Sequence, residues 1–340
     1  MSVSAWLSKK LDNGKILCQA CSQACVLNER EYGTCGVRRV ENGELKLLVY
    51  GLAAAVNIDP IEKKPLYHFL PNSSVFSIGT VGCNFSCSFC QNYDISQYPK
   101  ENNHHIVGRE LLPEDIVKLA VENECKSIAY TYNEPVIFFE YTYDTAKLAH
   151  KQGLKNVYVT SGYETHKAID LIEPYIDAMN IDIKSFSDKF YKEICGARLK
   201  PVLETVKYAH QKGIWIEITT LVIVGKNDSD DEIRSIAKFI ADIDRSIPWH
   251  LSAFHPTYKM LDAPRTPPST LLRAYEIAKE EGLKHVYVGN ISHQDYQSTY
   301  CPNCKRRVIN RGGVRRELVT NNLNDGNCPY CESNIEGIWK

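Results

Sequence analysis

The chain has 340 residues, of which 44% are hydrophobic, and a formal net charge of −1. That balance belongs to a folded globular protein and excludes both a disordered chain and one held to nucleic acid or membrane by bulk charge. No stretch reaches the roughly 18 uninterrupted apolar residues of a membrane span, and residues 1–17 lack a long apolar run, so a cytoplasmic protein is expected.

The 13 cysteines are clustered. With no secretion signal, short clustered spacings point to metals rather than disulfides. The first cluster is Cys18, Cys21, Cys25 and Cys35, expected to bind zinc or an auxiliary iron–sulfur cluster. Spacing does not choose between these, and the reading leans slightly to zinc. A strand is expected over Leu47-Leu48-Val49-Tyr50, and residues 1–70 read as a cysteine-containing N-terminal module.

Residues 75–81 read as a buried strand that ends in glycine, with Cys83, Cys87 and Cys90 on the loop beyond it. Three thiolates at C-x3-C-x2-C can hold three irons of a [4Fe–4S] cluster and leave the fourth open to a small chelating molecule. A structural zinc would want a fourth nearby ligand. Phe89, inside this loop, is suited to stacking on a purine.

Helical and strand segments then alternate. Pro113-Glu114-Asp115 opens a helix, with proline and acids in its first turn. The strand over 127–132 leads into Asn133-Glu134-Pro135, where a strand-end carboxylate is placed to receive an ammonium group. The strand over 155–160 ends in Thr160-Ser161-Gly162, offering hydroxyls and close backbone approach. The strand over 177–183 brings Asp182 and then Lys184 onto one face. Further strands are expected over 214–222, 248–254 and 285–288, with His255 just past the second of these. Gly153, Gly213 and Gly282 stop the helices before three of the strands, and Ser229-Asp230-Asp231-Glu232 has capping-box spacing. Six or seven parallel strands are too few for a closed barrel of ~250 residues. The expected fold is therefore α/β: a partial, open parallel β/α barrel over 71–295, with function at the C-terminal strand ends.

The last cysteines, Cys301-x2-Cys304 and Cys328-x2-Cys331, form two knuckles in a module over 296–340. Four thiolates close a tetrahedron, so zinc is the first choice and rubredoxin-like iron the second. The basic run Lys305, Arg306, Arg307, Arg311, Arg315 and Arg316 reads as a solvated face rather than a grip on RNA. Cys125 reads as buried packing, and Cys195 is given no role.

The cysteine loop ending Cys90-Gln91-Asn92, the segment Asp59–Phe69, Tyr132-Asn133-Glu134-Pro135, the stretch from Trp249-His250 to His255-Pro256 and the final knuckles carry a resemblance. The chain resembles radical S-adenosylmethionine (SAM) enzymes related to the pyruvate formate-lyase activating enzymes. Within them it looks most like the radical SAM member of the AmmeMemoRadiSam system. The resemblance implies a [4Fe–4S] cluster on Cys83, Cys87 and Cys90 whose open iron is chelated by SAM. One-electron cleavage would give methionine and a 5′-deoxyadenosyl radical that takes hydrogen from a substrate. Phe89, Asn133, Glu134, Thr160, Ser161, Asp182, Lys184 and His255 are the residues expected to hold SAM. A one-electron donor of flavodoxin or ferredoxin type is implied, with the other proteins of that system as candidate partners. Two departures stand out: Tyr132-Asn133 occupy the place where activating enzymes carry glycines, and Val159 cannot ligate a cation as their acid does. A metal-bound scaffold or nucleic-acid module is the non-enzymatic alternative, and it leaves the three-cysteine loop without a purpose.

Overall fold

The computed structural model describes residues 2–291, 294–312 and 318–340. Its centre is an eight-stranded sheet of β1 (Ala55–Pro60), β2 (Ser74–Gly79), β3 (Ser127–Tyr130), β4 (Lys155–Thr160), β5 (Ala178–Asp182), β6 (Trp215–Val222), β7 (Trp249–Ala253) and β8 (Val286–Gly289). Strands β2 to β8 are parallel and lie in sequential order, while β1 adds antiparallel to β2. β1 and β8 do not pair with each other, so the barrel is open. The seven expected strands are all present. β1 is the addition: its sequence Ala-Val-Asn-Ile-Asp-Pro ends in proline and exposes Ile58, a pattern that hides an edge strand. It lies inside the segment read as a separate N-terminal module, yet it hydrogen-bonds the barrel along its whole length.

The crossovers are α1 (Pro113–Glu122), α2 (Phe139–Lys151), α3 (His166–Ile172), α4 (Leu199–Gln211), α5 (Asp230–Ile243) and α6 (Pro268–Glu280). Asp115 accepts the Leu112 N–H at the start of α1, and the Ser229 hydroxyl accepts the Glu232 N–H at the start of α5. Only half of the expected capping box forms there. The Glu232 carboxylate turns instead to the Ser185 hydroxyl and the Phe186 N–H, tying α5 to the loop after β5.

Residues 2–50 form small antiparallel sheets. Strands Arg38–Glu41 and Glu44–Leu47 are joined by Asn42-Gly43, with φ of 55° and 73°, the left-handed pair that a tight hairpin needs. That turn starts the second strand at Glu44, and it ends at Leu47, so the strand expected over 47–50 lies earlier in the chain. Arg38 fastens this region to the barrel. Its guanidinium donates to both oxygens of Glu140, at 3.2 and 2.6 Å, and to the Ile137 carbonyl at 2.9 Å, and both side chains are buried. No helix among the described residues is long and apolar enough to cross a membrane.

Removing one partner of a buried ion pair strands the other charge, so Glu140→Ala is expected to cost about 3–5 kcal/mol of stability. Arg38→Met/Glu140→Leu should recover much of that loss in denaturant unfolding. Additive losses in the double variant would show that the two residues act independently.

Candidate functional site

The C-terminal ends of the parallel strands and the loops beyond them enclose a cavity of about 960 Å³. Cys83, Cys87 and Cys90 line it together with Phe89, Asn133, Thr160, Ser161, Asp182 and Lys184, so five positions at three strand ends meet the cysteine loop at one rim. The cysteine loop leaves β2 through Gly82, where φ is 91° and an added Cβ would stand 2.6 Å from the Cys35 carbonyl oxygen. Only glycine fits that close approach. The loop is then pinned from below: Ser86 N–H donates to the Cys195 carbonyl at 2.8 Å and Ser88 N–H to the Ile194 carbonyl at 2.9 Å. These carbonyls belong to a wide helical turn over Tyr191–Cys195, closed by Gly196 with φ of 66°. The Phe85 N–H points at Cys83 Sγ, 3.4 Å away.

Cys195 was the lone cysteine with no role assigned. Its buried thiol lies against that of Cys87 and, with burial, pushes Cys87 well above the ordinary thiol range. No sequence spacing joins residues 87 and 195; the wide turn does.

Tyr132 has a φ of 72°. A non-glycine residue held there costs of order 1–3 kcal/mol. The fold offsets that strain around the ring and backbone. The Tyr132 hydroxyl donates to Asp59 Oδ2 at 3.1 Å and accepts from Asn57 at 2.9 Å, Asn92 donates to its carbonyl at 2.7 Å, and Lys64 Nζ lies 4.7 Å from the ring centre. Asp59 also binds Lys63 and Lys64, each at 2.7 Å. The Asp59–Phe69 segment therefore builds one wall of the site. Further down the barrel, Tyr67 and His68 N–H groups and His250 Nε2 converge on buried Glu217; burial raises its pKa, but His250 and the other donors leave it below the usual carboxylate range.

Asn133 donates to Thr80 Oγ1 at 3.1 Å and to the Gly82 carbonyl at 2.9 Å, while its Oδ1 is buried with no partner. That oxygen is an acceptor waiting for a donor. Asp182 and Lys184 pair at 2.7 Å on the cavity wall, and Lys184 Nζ lies 5.9 Å from the Phe89 ring centre.

Two of the residues expected to hold SAM do not line the cavity. Glu134 does not line the cavity: its carboxylate turns inward, accepting Ser161 N–H at 2.9 Å and meeting Thr160 Oγ1 at 2.5 Å. His255 does not line it either. Phe254 is fully buried, with its N–H bonded to Thr266 Oγ1, so the next residue faces outward and is exposed. Ser252, Arg265 and Asn290 line the cavity on that side.

Thr160 Oγ1 also lies 2.6 Å from Glu164 Oε1 and accepts the Gly162 N–H at 3.0 Å. One hydroxyl proton cannot serve two carboxylates. One acid must hold a proton and donate to Oγ1 while Oγ1 donates to the other. Burial, then the neighbouring Glu164 charge, raises Glu134 to about 8, and burial raises Glu164 as well.

At the far end, the sulfurs of Cys301, Cys304, Cys328 and Cys331 all lie within 4.8 Å of one another, with Cys301–Cys331 at 3.6 Å and Cys304–Cys328 at 3.7 Å. A tetrahedral zinc with ligands at 2.3 Å places its sulfurs ~3.8 Å apart, so this group fits a mononuclear ion. In the basic run, Lys305, Arg306 and Arg307 are exposed, but Arg311 is not. Arg311 is fully buried, donating to Thr299 Oγ1 and the Tyr67 carbonyl, and it lines the main cavity. Arg315 and Arg316 lie outside the described residues.

Comparison with known proteins gives the superfamily. The model of the radical SAM superfamily matches residues 77–240. An uncharacterized protein of Methanocaldococcus jannaschii is 42% identical over 98% of both chains. The chain belongs to the radical SAM superfamily. A protein of the same organism provisionally named a glycyl-radical enzyme activating enzyme is 27% identical over 65% of this chain and 80% of its own. The pyruvate formate-lyase 1-activating enzyme of Escherichia coli K12 is 24% identical over 48% and 66%. Among solved structures, a radical SAM methyltransferase from Sphaerobacter thermophilus superposes with a TM-score of 0.51 at 18% identity, covering 65% of this chain and 67% of that one. The chain is thus a radical SAM enzyme, and the family implies a [4Fe–4S] cluster and SAM. The residues fit both groups: three thiols share one cavity wall, and the orphaned Asn133 oxygen lies beside polar and aromatic neighbours suited to a charged nucleoside.

The buried acid pair makes stability pH-dependent. An acid whose folded pKa is raised stabilises the fold below its unfolded value of about 4.5 and progressively less as pH rises toward 8. The urea midpoint of the wild type should fall across pH 5 to 8, and Glu134→Gln should flatten that fall; parallel profiles would count against a shared proton. At the other end, Cys304→Ser/Cys331→Ser in the full chain should lose about one metal ion per chain and unfold at lower temperature. Unchanged metal content would reject that site.

Proposed function

We propose that Cys83, Cys87 and Cys90 hold a [4Fe–4S] cluster, and that the chain cleaves SAM reductively to draw a hydrogen atom from a substrate held in the same cavity. The observation that carries this reading is the meeting of three thiols with polar strand ends around about 960 Å³, near the top of the range for small-molecule sites and roomy enough for SAM and a substrate together. When bound, the cluster supplies the electron and SAM the radical; the protein supplies orientation and exclusion of water. Asn133 Oδ1 is assigned to SAM's ammonium in place of Glu134, which instead fixes the backbone at Ser161. Lys184 and Asp182 are assigned to SAM's carboxylate and ribose, and Phe89 to the adenine. Lys63 and Lys64 share Asp59, Lys184 pairs with Asp182 and Arg311 lies by Glu62, so the shared lysine pair and Arg265 leave a cationic excess that favours a substrate carrying a carboxylate or phosphate.

The finer resemblance to the AmmeMemoRadiSam enzyme suggests that the substrate comes through its partner proteins. Activation of a glycyl-radical enzyme is the second reading, favoured by the likeness to proteins of that name. It predicts a glycyl radical signal on mixing with such a partner. Against it stand Tyr132 and Val159, which line the cavity where the resemblance implies glycine and an acid.

The anaerobically reconstituted protein, given SAM and dithionite, should form 5′-deoxyadenosine. Replacing any one of Cys83, Cys87 and Cys90 with alanine should abolish it. Asn133→Ala should weaken SAM binding about tenfold, read from the cluster's paramagnetic signal, through loss of one charge-assisted hydrogen bond. Product formation in the triple alanine variant would refute the cluster assignment.

A further inference from the structure

The N-terminal cysteines differ from the C-terminal set in a way that spacing could not reveal. Cys18 ends the strand Ile16–Cys18, Cys21 and Cys25 lie on the turn that leads into Val26–Leu27, and Cys35 precedes Arg38. All four line one small enclosed cavity. The C-terminal thiols lie within 4.8 Å of one another, yet among the described residues no three of these four do so. Nor do Cys83, Cys87 and Cys90. The two cysteine groups nearest the barrel therefore share a wide span, and only the distal group has the tight span of a single ion.

Cluster chemistry asks for that span. Around one zinc the sulfurs stand ~3.8 Å apart, whereas thiolates on the corners of a four-iron cube stand ~6 Å apart. An added Cβ at Gly33 would lie 3.7 Å from Cys35 Sγ and 3.8 Å from Cys25 Sγ, so the chain borders both sulfurs at once. Thr34 N–H points at Cys25 Sγ, 3.4 Å away, just as Phe85 N–H points at Cys83 Sγ. Amide hydrogen bonds to sulfur are a feature of cluster sites and tune their potential.

A second observation points to a ligand in the cavity. Asn84 is fully buried and lines it, and its Nδ2 has no hydrogen-bond acceptor within reach by geometry, although Cys21 is near enough for that amide to favour its thiolate. Its Oδ1 faces Cys83 Sγ at 3.8 Å. One side chain thus spans the two cysteine groups, its amide on the side of Cys21 and its carbonyl oxygen facing Cys83. Arg38 is the charged side chain on that cavity's wall, a buried cation facing what would be a strongly anionic group.

We infer that Cys18, Cys21, Cys25 and Cys35 ligate a second [4Fe–4S] cluster, in contact with the loop of the first through Asn84. Four ligands leave no open iron, so this cluster has no place for SAM and its chemistry is electron transfer alone. The site comes to the surface at half-buried Cys25 and exposed Thr34, where a one-electron donor can approach. One electron passing from such a donor through the second cluster reduces the first by one electron.

The assignment of the four ligands does not depend on SAM cleavage. The test is metal and sulfide content, with Mössbauer spectra, of the full chain reconstituted anaerobically with iron, sulfide and zinc. Wild type is expected to hold about eight irons and eight sulfides, and Cys83→Ala/Cys87→Ala/Cys90→Ala about four of each in a cubane spectrum. Cys21→Ala/Cys35→Ala should keep about four and a SAM-sensitive signal from the first cluster. An iron-free triple variant, or a second zinc per chain in the wild type, would overturn the inference, whether or not the quartet variant folds. Failure of the proposed function would look different: no 5′-deoxyadenosine and a SAM-insensitive signal, with the iron of the triple variant unaffected.

Discussion

Parallel strand pairing is the constraint from which the rest of this molecule follows. Parallel neighbours cannot be joined by a hairpin, so each strand must be left through a loop and a helix that returns the chain to the same starting edge. Every strand from β2 to β8 therefore ends on one rim. The polar residues that interrupt the apolar runs at Thr131, Thr160, Asp182 and Ser252 collect there without any direct bond to specify their meeting. The opposite edge is left to packing, and there the buried Glu217 with its His and backbone donors holds the floor.

Buried charge is the second organising theme. Arg38 with Glu140, Lys64 with Asp59 and Glu217 with His250 each lie almost wholly out of water; the first joins segments 102 residues apart and the last joins two barrel strands, while Asp59 and Lys64 tie down one short segment. Such pairs contribute little net stability, because desolvation offsets attraction, but a wrong arrangement would leave an unpaired charge inside. The Arg38–Glu140 pair acts as a register that fixes which surface of the N-terminal sheets meets which face of the barrel. The Glu134–Thr160–Glu164 cluster solves the same problem differently, by keeping one acid neutral.

Much of the fold was legible because strands buried on both faces read as continuous apolar runs, and glycines such as Gly153, Gly213 and Gly282 mark the helix ends before them. The edge strand β1 escaped because one of its faces meets water. At the site, sequence located the right loops but not the direction of each side chain. Glu134 sits at the expected strand end, yet Ser161 N–H and the Thr160 hydroxyl draw its carboxylate inward. His255 follows a phenylalanine that takes the inward position. Arg311 was hidden in a run of surface cations, though it lies on a strand, Arg307–Gly312, most of whose residues are buried. The partnership of Cys87 with Cys195 had no local signal at all.

The placement of Arg311 gives the distal metal module a second meaning. Its strand reaches from the four-cysteine group into the open side of the barrel, and Gln297, Arg311 and Gly312 close part of the cavity wall. The module is thereby a stopper as well as a fold element. A radical formed inside would be quenched wherever bulk water or dioxygen could enter, so a chain stripped of its distal ion would be expected to leak before it unfolds. Damage far from the chemistry would first be felt as abortive turnover rather than as lost structure.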